Sequence, residues 1–413
     1  MSFIKTLANS TQFLKQLNRE CRLYFLGVTL SGISQGIFAV VFNLYILSLG
    51  ISTETLGTIL SVAPLAQMLG SIPVGFIMEN IGYKKTFILV YAISGLSKIL
   101  QVASPSTTVI AATAFIGGLA ISGDFVVRLP FLVANTTPEE RTKVFSFSSI
   151  LFSITMAFGS LLAGYVPNLF TWFGMDNKTA YQLLLFLAGI LSLAGTLPIL
   201  KLKAPPVSEL RHKISLAPYF FGMDRFTVKQ AVVSLFVGIS LGLTAPFMNI
   251  YFLFHLGVSR EYFGVISAVA IIPALLATAL APILDKKTGS VRAVTILRMV
   301  IPFFIINLAL TTAAWSGTIS YWMMNSMNTA AQPLSFAFAL WAASKSAKAA
   351  TAAWLNVTFW LGMAITAPVA GYFLDRSNFQ SPLFMSAAAI VLAAILNDLF
   401  FKRIELNKIE LVS

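Results

Sequence analysis

The sequence is poor in the residues that build most metal and catalytic sites. Its single cysteine, Cys21, excludes an internal disulfide. Its two histidines, His212 and His255, lie far apart in the chain and suggest no metal-ligand cluster. The sequence contains no Gly-rich phosphate loop or dinucleotide motif, and no Ser/His/Asp spacing that suggests a nucleophile. We therefore expect no metal, no cofactor and no enzymatic activity.

Charged residues are also scarce. They make up 10% of the 413 residues, against about 25% in an ordinary soluble domain. Hydrophobic residues make up 57%, and the mean hydropathy is +0.83. A soluble protein of this composition would have too little polar surface to face water, whereas a bilayer solvates apolar side chains directly. The predicted fold class is an all-α polytopic membrane protein, with membrane lipids as its surroundings.

Apolar runs long enough to cross a bilayer recur about twelve times along the chain. The predicted spans are 23–49, 54–78, 84–103, 107–134, 143–166, 179–200, 230–256, 261–284, 291–313, 318–342, 348–374 and 382–401. Most connections are a few residues long, so consecutive helices should be antiparallel neighbours.

The spans divide into two bundles of six helices. The predicted organisation is an amphipathic N-terminal segment (1–22), a first bundle (23–200), a central loop (201–229), a second bundle (230–401) and a polar tail (402–413). In residues 1–20 the apolar side chains fall near one helical face, which is typical of a helix lying on a membrane surface.

The net charge of +13 is distributed very unevenly. Most of the 28 lysines and arginines fall in the N-terminal segment, the central loop, the tail and the connections on that side. Outside the spans, only Lys178, Arg260 and Arg376 fall on the other side. The positive-inside rule then places both termini in the cytoplasm of a multi-pass protein of the inner (plasma) membrane. Because topology accounts for the positive charge, no nucleic-acid partner is predicted.

The two halves resemble each other in sequence. "NLYILSLGISTETLG" (43–57) aligns with "NIYFLFHLGVSREYFG" (249–264), allowing one inserted residue, and "AGY" recurs at 163–165 and 370–372 with the same offset. Both halves have the same sidedness, so the repeat is parallel, about an axis along the membrane normal. Such repeats place a substrate site between the halves, near the midplane.

With these features the sequence resembles the major facilitator superfamily over nearly its whole length. The family's signature loop reads "GFIMENIGYKK" here, with Glu79 where the family usually has Asp and Asn80 where it usually has Arg. The symmetric loop reads "APILDKKTGSVR", and "TPEERTK" (137–143) resembles the loop after the fourth helix. The residues that the resemblance assigns to gating are Gly75, Glu79, Gly82, Lys84, Lys85, Arg141, Asp285, Lys286 and Gly289.

The resemblance implies a twelve-helix, monomeric transporter whose gating loops stabilise an outward-open state. A carboxylate at a helix end can bond neighbouring helix N-termini and nearby bases, which gives such loops a physical role. For the lysines, anchoring at the lipid headgroups is an equal alternative. "FGSLLAGY" (158–165) resembles the family's antiporter motif, with Ser160 in place of Pro and Ala163 in place of Gly; close helix packing is an alternative explanation.

Four ionisable residues fall within predicted spans. Lys98 and Arg298 have long side chains that either snorkel toward the headgroups, which we expect, or face the cavity. Asp124 lies roughly 16 Å from the cytoplasmic end of the fourth span, too deep for its short side chain to reach water. Arg128 is one turn away on the same face, so an ion pair is predicted. The pair either lines a wet cavity that binds substrate or protons, or serves only to let the helix insert.

Polar side chains on other spans extend the candidate cavity. Three share one face of the tenth span, and others lie on the first and seventh spans; hydrogen bonding between helices is the alternative. The predicted substrate or proton site comprises Asp124, Arg128, Gln35, Asn43, Asn249, Asn325, Asn328 and Gln332.

Three functional hypotheses follow. The first is a secondary transporter, most simply a proton-coupled exporter, of a small amphipathic or polar molecule, with Asp124 as the proton carrier. The second is a facilitator or importer of an anionic or zwitterionic metabolite without proton coupling. The third, from another class, is a non-transporting sensor or a lipid scramblase. The excess of deep bases over deep acids favours an anionic, zwitterionic or neutral substrate over a cation.

Overall fold

The computed structural model describes residues 17–203, 224–344 and 347–410. The predicted surface helix at 1–20, apart from its last residues, and most of the central loop lie outside the described residues. No strand occurs in the described part of the chain, which is almost entirely helical.

The helices follow the predicted spans closely. Residues Thr53–Ala103 form one helical run that breaks at Gly82, and we number its two arms α2 (53–81) and α3 (83–103). The others are α1 (Arg19–Ser48), α4 (Thr107–Ala134), α5 (Pro138–Trp172), α6 (Asn177–Leu200), α7 (Arg225–His255), α8 (Arg260–Thr288), α9 (Ser290–Leu310), α10 (Ala314–Ala342), α11 (Lys348–Asp375) and α12 (Gln380–Glu410). The second bundle thus begins at Arg225, before the predicted 230, and α12 continues through most of the predicted tail.

Ten of the described helices are long and apolar enough to cross a membrane. The other two predicted spans, 54–78 and 318–342, fall on α2 and α10, so the helices are consistent with twelve crossings. The alternation of short turns defines two ends of the molecule. The linker end carries Gly82, Gly289 and the residues that flank the central loop, Lys203 and Asp224, and the far end carries Gly50, Gly257 and Gly174.

The sequence repeat is also a structural repeat. Gly82 and Gly289 have nearly the same backbone conformation, with φ of 80° and 83° and ψ of 167° and 158°. A residue with a side chain rarely adopts this φ, so glycine allows the sharp turn at the linker end of each half. Gly50 and Gly257, also aligned in sequence, have φ of 80° and 65°. The turns therefore recur at equivalent positions in the two halves.

The two halves pack against each other unequally along the membrane normal. α2 packs against α11 and α5 against α8, joining the halves. One hydrophobic cluster contains residues of both halves, including Val41 and Tyr45 of α1 and Phe247 and Tyr251 of α7 toward the far end. Only its second-half residues, such as Phe338 and Phe401, continue to the linker end. Toward the linker end the clusters are separate: one spans Leu17–Leu202 of the first half, and another lies within 281–331 of the second.

Candidate functional site

The predicted ion pair on α4 forms. An Nη2 of Arg128 contacts Oδ2 of Asp124 one helical turn away, and the two side chains are 20% and 18% exposed. The second carboxylate oxygen, Oδ1 of Asp124, is buried and accepts no hydrogen bond among the described residues. This oxygen has a free lone pair that a proton or a substrate donor could use.

The pair lies beside aromatic side chains of the first half. Tyr24 of α1 and Tyr91 of α3 lie near both members of the pair. The ring of Tyr24 packs against Phe87 and Phe131, with centroids 5.3 and 5.5 Å away. These buried rings lower the local polarity, which strengthens the attraction between the two charges.

The polar face predicted on α10 is accessible. Asn325 and Asn328 are partly exposed and Gln332 is exposed, whereas α10 packs through other residues against α8 and α9. Gln35 of α1 is likewise partly exposed. Accessible polar side chains are what a water-filled pathway requires, and their assignment to the cavity stays a prediction.

Asn43 and Asn249 come together across the halves, but in a buried contact. Their side chains are 4% and 2% exposed, and Nδ2 of Asn43 donates to Oδ1 of Asn249 at 2.8 Å. Nδ2 of Asn43 also reaches the carbonyl of Pro246 at 2.6 Å, and Nδ2 of Asn249 donates to the carbonyl of Val40 at 2.9 Å. In this conformation the two asparagines join α1 to α7 and are not part of a cavity surface.

The expectation that Lys98 and Arg298 snorkel is wrong. Each is only 6% exposed. Nζ of Lys98 donates to Oγ of Ser34 at 2.9 Å, and Nη2 of Arg298 donates to Oγ of Ser335 at 3.3 Å. The hydroxyls on neighbouring helices hold both heads inside the bundles, so neither side chain extends to the headgroups.

The sequence did not predict a set of polar contacts that joins the two halves at the far end, which we call the polar latch. Oδ1 of Asp375 accepts hydrogen bonds from the amide and the hydroxyl of Thr53, at 3.0 and 2.9 Å. Beside it, Arg376 pairs with Glu54 at 3.2 Å. The sequence repeat already aligned Glu54 with Glu261. Only the fold shows that each of them contacts a residue of the other half.

The second part of this latch joins α5 to α8. Asn168 donates from Nδ2 to Glu261, and its carbonyl oxygen Oδ1 accepts from Arg260. Hydrogen bonds join side chains of one half to atoms of the other at several points toward the far end. The far end is therefore closed by polar contacts between the halves.

Glycine pairs let the halves approach closely beneath the latch. A Cβ on Gly57 would lie 2.7 Å from the carbonyl oxygen of Ala367 and 3.0 Å from Cα of Gly371. A Cβ on Gly264 would lie 3.0 Å from Cα of Gly164. Gly164 belongs to the segment that resembles an antiporter motif, so this segment has a direct packing role in the structure.

The predicted gating loops lie at the linker end. Gly75 and Glu79 lie near the end of α2, with Glu79 partly exposed; Lys85 is exposed and Lys84 partly so, and Arg141 is in the first turn of α5. Their gating role stays a prediction.

The symmetric loop contains a partner that the sequence did not reveal. Oδ1 of Asp285 accepts from the hydroxyl of Ser290 at 2.7 Å, and Lys286 is exposed. The carboxylate of Glu405, from α12, accepts from the amide of Ser290 at 2.6 Å and approaches Gly289. A carboxylate at a helix N-terminus is stabilised by the free amides and the helix dipole, so Glu405 caps α9.

Comparison with known proteins agrees with this architecture. The family model described as Major Facilitator Superfamily matches residues 24–324. No curated protein matches the sequence.

Several solved structures share the fold. The nucleoside transporter NupG has a TM-score of 0.76 at 14% identity, covering 94% of this chain and 100% of its own. A bacterial homologue of the human lysosomal transporter Spinster, inward-facing and occupied, has a TM-score of 0.73 at 14% identity, covering 93% and 97%. The D-xylose–proton symporter has a TM-score of 0.72 at 15% identity, covering 92% and 96%.

Proposed function

Because the chain belongs to the Major Facilitator Superfamily, we propose that it is a proton-coupled secondary transporter that exports a small amphipathic or polar molecule. It works as a monomer in the inner membrane, with both termini in the cytoplasm. The two halves rock about the site between them, so that the site opens to one side of the membrane at a time.

The observation that carries this proposal is the unequal packing of the halves. They share a core and a polar latch at the far end, while their hydrophobic clusters are separate toward the linker end. Two rigid bundles joined at one end can rock about the contact. With the termini in the cytoplasm, the far end faces outward and this conformation is the one closed to the outside.

Asp124 supports the coupling part of the proposal. It is the deepest carboxylate of the predicted spans, and its Oδ1 is free to take a proton while Oδ2 contacts Arg128. A proton on Oδ1 would occupy the acceptor that a donor group of the substrate needs. Proton binding and substrate binding would then compete, as exchange requires.

The same pair favours a second candidate, a facilitator without proton coupling. Arg128 compensates the charge of Asp124 directly, so the pair could bind a zwitterionic molecule with no proton moving. The two candidates differ in their response to a proton gradient.

Transport into inverted vesicles tests the proposal. Labelled hexanoate, 6-aminohexanoate and hexylamine are matched probes of anionic, zwitterionic and cationic molecules. An exporter takes up at least one of them when the vesicle interior is acidified, and Asp124→Asn abolishes the gradient dependence. Asp176→Asn is the control, since Asp176 caps α6 at the far end and Asn caps helices equally well.

Each outcome has a distinct meaning. Uptake that is indifferent to the gradient in the unmodified protein would support the facilitator. Gradient-driven uptake that survives Asp124→Asn would contradict the role given to this carboxylate. Lipid scrambling without uptake of any probe would overturn the transporter assignment.

A further inference from the structure

Arg298 is a buried charge without a counter-charge among the described residues. Its side chain lies between α9 and α10, 6% exposed, with Nη2 donating to Oγ of Ser335 at 3.3 Å. Nη1 is buried and has no hydrogen-bond partner among the described residues. No described carboxylate lies within ion-pair distance of the guanidinium.

Comparison with the first half of the repeat shows which group is missing beside Arg298. The offset that relates Gly82 to Gly289 also relates the start of α4, Thr107, to the start of α10, Ala314. The same offset places Tyr91 on Arg298.

Applied to α4 and α10, the same offset aligns the Asp124–Arg128 pair with residues near Arg298. It places Arg128 on Ser335 and Asp124 on Ala331. Each half thus has one guanidinium at the seam between its third and fourth helices. In the first half a carboxylate neutralises it, whereas in the second half the equivalent position is an alanine.

An unneutralised arginine inside a membrane protein is costly to keep. Burying a charge without a partner costs several kcal/mol in general, and an arginine cannot escape this cost because it stays protonated in proteins. Lys98 differs, since a lysine can become neutral by releasing its proton. Lys98 and Arg298 are the two buried bases without a carboxylate partner in the described part of the chain, and only Arg298 therefore requires an anion.

We propose that Arg298 and Ser335 bind the oxyanion group, a carboxylate or a phosphate, of the transported molecule. This inference rests on the proposed function, because it names the class of molecule carried. Ser335 follows Asn328 and Gln332 on α10 by seven and three residues, which places it on their accessible face. An anion that enters along this face would meet the Ser335 hydroxyl and the unpaired Nη1 of the guanidinium, two donors suited to one oxyanion.

Equilibrium binding to the full-length protein in lipid nanodiscs tests this inference without any transport. The probes are hexanoate, hexyl phosphate and the neutral hexanamide, and the readout is the thermal unfolding midpoint as a function of ligand concentration. We expect at least one anion to bind more tightly than hexanamide. Arg298→Gln should lower the affinity for that anion about tenfold, as expected for the loss of one charge-assisted hydrogen bond. The affinity for hexanamide should not change. Comparing hexanoate with hexyl phosphate separates a carboxylate site from a phosphate site.

A second variant tests the missing counter-charge directly. Ala331→Asp would place a carboxylate where the first half has Asp124, so it should raise the midpoint of the ligand-free protein relative to Ala331→Asn and abolish the preference for anions. Ala331 is buried, and the asparagine variant controls for the added volume.

Two results would overturn the inference: anions that bind the unmodified protein no better than hexanamide, or an anion preference that survives Arg298→Gln. If binding behaves as expected but vesicles transport no probe, the anion site stands and the proposed transport function fails.

Discussion

The closed far end depends on Gly57, and a single methyl group there should open it. A Cβ at this position would lie 2.7 Å from the carbonyl oxygen of Ala367 and 3.0 Å from Cα of Gly371, both in the other half. These are backbone atoms, so no side-chain rotation can relieve the contact. In Gly57→Ala the two halves must separate at the far end or the helices must shift.

The size of the effect follows from the packing. Overpacking a tight contact costs about 1–3 kcal/mol, and in Gly57→Ala the cost falls only on the conformation in which α2 meets α11. A penalty of about 1–3 kcal/mol on one of two states changes their ratio about 5- to 150-fold. We therefore expect a conformation open at the far end to become readily detectable.

Electron–electron distance measurements between spin labels test this expectation. Labels attached through Thr108→Cys and Gln380→Cys, in a background with Cys21→Ala, report the separation of the halves, because both sites are exposed at the far end of different halves. Gly57→Ala should add a longer distance to the distribution. The matched control is Gly362→Ala, whose Cβ would lie 2.5 Å from the carbonyl oxygen of Leu235, within one half. An unchanged distribution in folded Gly57→Ala protein, or the same change in Gly362→Ala, would refute the reasoning.

Three further predictions follow from the contacts between and within the halves. Asn249→Ala should lower the free energy of unfolding by about 1–3 kcal/mol, because it leaves the buried amide of Asn43 with fewer partners; denaturant titration in detergent measures this, and a neutral result would contradict it. Glu54→Gln should change stability by less than about 1 kcal/mol, because its pair with Arg376 is half exposed; a larger loss by the same titration would show that the pair is stronger than its exposure indicates. Glu405→Gln should accelerate hydrogen exchange at the amides of α9's first turn, which it caps, and unchanged exchange there would exclude the capping role.

The sequence predicted the fold because the bilayer imposes a strong pattern on it. Apolar runs must be about 20 residues long to cross the membrane, and this requirement alone located almost every helix. The repeat was also visible, since turns such as those at Gly50 and Gly257 need residues that tolerate positive φ. Local spacing in the sequence likewise predicted the break near Gly82 and the ion pair on α4.

The errors concern side chains whose partners are distant in sequence. Lys98 and Arg298 were expected to snorkel because depth along a helix is all that the sequence gives; Ser34 and Ser335, which hold them, come from other helices. For Asn43 and Asn249 the sequence left a cavity position and hydrogen bonding between helices as equal alternatives, and only the fold places the two side chains in contact with each other. Glu405 was not expected at all, since α12 returns to α9 only in the folded chain.

The sequence by itself determined the membrane class, the helices, the twofold repeat and the Asp124–Arg128 pair. These features depend on hydrophobicity, on turn geometry or on neighbours one helical turn apart, which are all local in the chain. Only the tertiary structure decided at which end the halves meet, that Asp375 and Asn168 contribute to closing that end, and that Arg298 is buried with no described carboxylate in ion-pair contact. Those features depend on which helices lie side by side, and packing between segments far apart in sequence settles that arrangement.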